Sequence, residues 1–178
     1  METTVQFNIE KLEYLQRELA RTASAYVKVG VASGKDTRNR VYPPDCETIL
    51  KTNTKIARDH EFGNPAAIGP CGESIPIPER SILRMPMKLA MGDELSKVNK
   101  YTYEKIIRND GVDGILDKVG SVAVNLVDKN FEKQGYPEGW RPISYKTLLH
   151  RRKHDRDSKK LLDDSGQLRS SFDYEVVA

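Results

Sequence analysis

The residue types that carry most enzyme chemistry are sparse here, with three histidines and two cysteines among 178 residues. His60-Glu61 opens as a zinc-protease helix would, but that chemistry needs a second imidazole four positions on, so that two ligands share one helical face. The fourth position after His60 is Asn64. His150 and His154 do stand four apart, yet they lie among Arg151, Arg152, Lys153 and Arg156, and a cationic surround disfavours a divalent ion. That stretch reads as a solvated basic face. The chain has no Gly-x-Ser-x-Gly elbow, no Cys/His signature and no glycine-rich phosphate loop. Asp163-Asp164 with Asp173 and Glu175 could be drawn around a metal, but a turn role accounts for Asp164 without one. The expectation is a protein without catalytic residues, metal or cofactor.

What stands out instead is a series of short motifs. Leu161 to Phe172 reads as an apolar entry, a turn, one helical turn and an exit into the strand-like Tyr174-Glu175-Val176-Val177. Asp164 or Ser165 can cap that helical turn, Gly166 relaxes the backbone at the reversal, and Leu162 and Leu168 land on one side of it. Upstream come His60-Glu61-Phe62-Gly63, then Ile77-Pro78-Glu79-Arg80-Ser81-Ile82-Leu83-Arg84, then Gly139-Trp140-Arg141-Pro142-Ile143-Ser144 with Thr147 and Arg151. Trp140, flanked by Gly139 and Pro142, is expected to anchor the core. Arg80 and Arg84 are expected at the surface, where they could form an ion-pairing edge to a neighbouring subunit.

Periodicity supplies the elements that must position these residues. Ile9, Leu12, Leu15 and Leu19 recur at helical spacing over residues 9–22, with Asn8 as a cap. Residues 25–32 alternate, placing Val27, Val29 and Val31 on one strand face. Residues 33–47 are polar, with Pro43-Pro44, and predict an exposed loop. Residues 49–62 predict a helix closed by Gly63. The Pro/Gly-rich arm 64–80 predicts an extended segment pressed on the body, or an edge strand, and Pro86 suits the first position of the next helix. Residues 112–131 carry the clearest apolar face, including Leu116, Val119, Leu126, Val127 and Phe131, on a helix about 30 Å long. The predicted fold is α+β: the strands near the two ends pair in one small, mostly antiparallel sheet packed by the two long helices.

Length suits one domain over 1–178 with a core that needs no staples. Hydrophobic residues make up 38% and charged residues 31%, which predicts a highly charged surface or extended segments. Cys46 and Cys71 sit in Pro/Gly-rich surroundings without metal-ligand spacing and read as free thiols in a reducing cytoplasm. No apolar run approaches a membrane span and Met-Glu-Thr-Thr is no signal peptide, so cytoplasmic synthesis and assembly without a membrane are expected.

The ordered motifs resemble the phage virion-morphogenesis family, the Mu-type tail-completion proteins of tailed bacteriophages. The family pattern runs HEFG, IPxRPFLR, W-x-PL-x-x-T-x-x-x-R and L-x-DTGxLRxS, and the likeness covers about residues 26–177. Ser165 stands where the family has Thr, Ser81-Ile82 where it has Pro-Phe, and Ile143 where it has Leu. The resemblance implies a non-catalytic virion protein of the neck, acting at the head-proximal end of the tail to make it competent for head–tail joining. It also implies a homo-oligomeric ring, with hexameric symmetry as in phage tails. Its partners would be head-closure, tail-terminator and tail-tube proteins, with DNA passing through.

The stretch Arg141 to Lys160 holds eight Lys or Arg and two acids. It reads as a mobile, solvated loop over 150–160, or as a contact for DNA phosphate or an acidic neighbour through Arg151, Arg152, Lys153 and Arg156. A sequence-independent DNA-binding module is the alternative reading, as is a head-closure or connector protein. A net charge of +3 over the whole chain weighs against DNA binding.

Overall fold

The computed structural model describes residues 9–38, 52–68, 72, 74–108, 114–153, 160–162 and 165–177. Helix α1 (Ile9–Ser24) leads into strand β1 (Tyr26–Val31) and a single 3-10 turn (Ser33–Lys35). Helices α2 (Asn53–Phe62), α3 (Arg84–Arg108), α4 (Ile115–Lys133) and α5 (Tyr145–Lys153) follow. The short α6 (Gln167–Ser170) then turns the chain into strand β2 (Phe172–Val177).

The sheet has two strands, β1 and β2, paired antiparallel from Tyr26↔Val177 to Val31↔Phe172. Helix α4 lies across both strands, and α3 packs along α4. The α+β prediction holds, including the pairing of strands from opposite ends of the chain. On α4, Gly120, Ala123, Leu126, Val127, Asn130 and Phe131 are buried, a spacing of three and four that keeps them on one helical face. Gly120 lets the helix approach the sheet closely: a Cβ there would lie 2.1 Å from Cδ2 of Tyr174 on β2. The core centres on Ile82, Val127, Phe131, Leu168 and Phe172. Trp140 meets Phe131 edge-on at 5.7 Å between ring centroids, and Phe172 lies tilted against Phe131 at 5.9 Å.

Several boundaries differ from the sequence reading, each for an identifiable reason. Residues 33–38 are not part of a free loop. Lys35 pairs with Asp173 at 2.9 Å, Asn53 Nδ2 donates to the Lys35 carbonyl at 2.6 Å, and Asp36 Oδ1 accepts from Thr54 N at 2.7 Å. These bonds staple the start of α2 to the end of the sheet; the rest of the predicted loop lies outside the described residues. Helix α2 starts at Asn53, because Thr52 caps it by accepting from Lys55 N at 3.2 Å. The described residues of the arm 64–80 fold back through the bridges Asn64↔Ile77 and Ile68↔Ser74 and, among the described residues, add no strand to the sheet. The basic segment is not loop throughout: residues 150–153 form the last turn of α5, while 154–159 lie outside the described residues. No helix among the described residues is long and apolar enough to cross a membrane.

Candidate functional site

The four sequence motifs meet at the turn that opens α3. The Glu61 carboxylate, on the last turn of α2, accepts from three successive backbone N–H groups: Ile82 at 2.7 Å, Leu83 at 2.8 Å and Arg84 at 3.0 Å. It also accepts the Ser81 hydroxyl at 2.5 Å. Ser81 Oγ in turn accepts from Met85 N at 2.9 Å. Pro86 has no N–H to satisfy, and the first helical bond runs from Met87 N to the Leu83 carbonyl at 3.1 Å. Every orphan donor at this helix start is therefore accounted for. The helix begins at Arg84, two residues before the position at which Pro86 would have opened it, because a carboxylate from another helix caps it. A negative charge at the N-terminus of a long helix also lies favourably in its dipole.

The carbonyl side of the same turn is held as firmly. Asn130 Nδ2 donates to the carbonyls of Ser81 at 3.0 Å and Ile82 at 2.9 Å, and the Trp140 indole N–H donates to Ser81 O at 3.2 Å. Trp140 is thus the core anchor expected of it. Arg80 is not the surface residue expected from sequence. It is buried, and Nε and Nη2 both donate to the Arg141 carbonyl, at 3.3 and 3.2 Å. Its Nη1 lies 3.5 Å from Nδ1 of His60, and its backbone N–H donates to the His60 carbonyl at 2.6 Å. Burial, and then the charge of Arg141, push the Arg80 guanidinium below its usual range. A side chain so enclosed within its own chain is not the surface cation that the sequence predicted.

Gly63 closes α2 with φ 73°, and a Cβ there would come within 3.1 Å of Glu79 N and 3.3 Å of the Ile77 carbonyl. The first motif thus passes directly under the second. Phe62 stays exposed, with the Arg84 guanidinium 5.7 Å from its ring centroid. Arg84 is half exposed and pairs within its own chain with Glu79, and with Glu61 at 3.7 Å.

The fourth motif enters the junction through the core. Leu168 is buried in the cluster that holds Ile82 and Phe131, and Leu162 packs on the same cluster with φ 58°, so the two leucines share a side as expected. Gly166 itself, at φ 70°, occupies the N-cap position of α6 with no side-chain bond, and Ser165 is exposed; Asp164 lies outside the described residues. Arg169 holds α6 onto α4 by pairing with Asp128 through Nε and, at 2.7 Å, through Nη2, and with Glu132 at 3.1 Å. That guanidinium keeps the Asp128 carboxyl below its usual range.

Of the basic candidates, Arg152 is exposed on α5. Arg151 and Lys153 lie on the same helix with side chains outside the described residues, as is all of Arg156. Sequence reasoning missed Asn130 and the capping role of Glu61. Asn130 left one signal: a polar residue at a helical-face position just after Leu126-Val127 and before Phe131. Among the described residues, no group of three or more His, Cys, Asp or Glu could hold a metal ion. What this geometry does is clamp four distant chain segments at one point.

Compared with known proteins, the chain matches no family model, no curated protein and no solved structure.

Proposed function

We propose that this chain is a structural virion protein of a tailed bacteriophage, a tail-completion or neck component acting at the head-proximal end of the tail. The observation that carries the reading is the meeting of the four motifs at one junction. Glu61 of the first motif caps the helix begun by the second. Trp140 and Arg141 of the third hold its carbonyl side and Arg80, and Leu168 of the fourth joins the same buried cluster as Ile82. Motifs matched only as strings have no reason to touch; motifs that define a shared fold do. The role itself comes from the family resemblance. On this reading the chain acts without catalysis or cofactor, as a homo-oligomeric, six-fold ring between head-closure, tail-terminator and tail-tube proteins. Phe62, Tyr145 and Leu149, exposed outside the junction, are apolar surface available to such neighbours.

Electron microscopy of particles from a phage lacking this protein tests the reading. Full heads accumulating beside separate, complete-looking tails are expected. Normal joined virions would overturn it. Strong retention of the isolated protein on duplex DNA at physiological salt would instead favour sequence-independent DNA binding.

A further inference from the structure

We draw no further inference here: the strongest candidate, the exposed apolar stripe of helix α1 with Ile9, Leu12 and Leu19, carries nothing because nothing in the structure shows what covers it.

Discussion

Replacing Glu61 by Ala should be among the most damaging single changes in the chain, although the residue is charged and lies at a helix end. Its side chain is only 12% exposed and accepts three backbone N–H groups and one hydroxyl. Arg84 is exposed, so its N–H can turn to water, and the Ser81 hydroxyl can rotate to another acceptor. Ile82, at 1% exposure, cannot exchange its bond for one to water, and Leu83 is only partly open. An unsatisfied buried donor costs about 1–3 kcal/mol, and loss of a helix cap is typically about 1 kcal/mol. With one donor fully stranded and one partly so, the expected loss is about 3 kcal/mol, or about 6–12 °C in melting temperature for a chain of this size. Gln at the same position keeps one oxygen as an acceptor but turns an amide NH2 toward groups that are all donors, and should lose about half as much. Urea unfolding of the three proteins measures both losses. A change below about 0.5 kcal/mol for Glu61→Ala would show that the start of α3 needs no outside carboxylate, and the clamp argument would fail.

Gly120→Ala should force Tyr174 from its place against α4 at a cost of about 1–3 kcal/mol, and Tyr174→Ala in the same chain should recover part of that loss in a double-mutant cycle. Leu126→Ala, fully inside, should destabilise by about 2–4 kcal/mol in thermal melts, and Leu116→Ala, half-buried, by clearly less. Asp128, Asp36 and Asp173 are all held below the usual carboxylate range, by Arg169, by the Thr54 bonds and by Lys35 respectively. Their contribution is therefore complete above the unfolded aspartate value of about 3.9 and fades as pH falls through the lower folded values. Asp128→Asn should make the acid limb of a stability–pH curve shallower there, with a loss at neutral pH below about 1 kcal/mol because the pair is partly solvated.

Much of the scaffold was legible from local pattern. The face of α4 is written in the recurrence of Leu126, Val127 and Phe131, and the strand β1 in the alternation of Val27, Val29 and Val31. Tryptophan between Gly139 and Pro142 had few roles other than an anchor. Such features depend on neighbours a few positions away, and helix and strand periods bring those neighbours together whatever the rest of the chain does. The junction depends on residues that are far apart. A turn at 81–84 offers the same N–H groups to water, to its own side chains or to a distant carboxylate, and nothing in its spacing says that Glu61 will arrive. Arg80 looks like a surface cation until the carbonyl of Arg141 and the ring of His60 close around it. The charge of Arg80 argued for solvent, and only the packing of two remote loops supplied the acceptor that makes its burial tolerable. Sequence alone thus determined which residues share a face and hence the α+β layers. Tertiary structure decided which polar groups are spent on holding those layers together, because a hydrogen bond between distant segments exists only once the fold has brought its two ends within 3 Å or so.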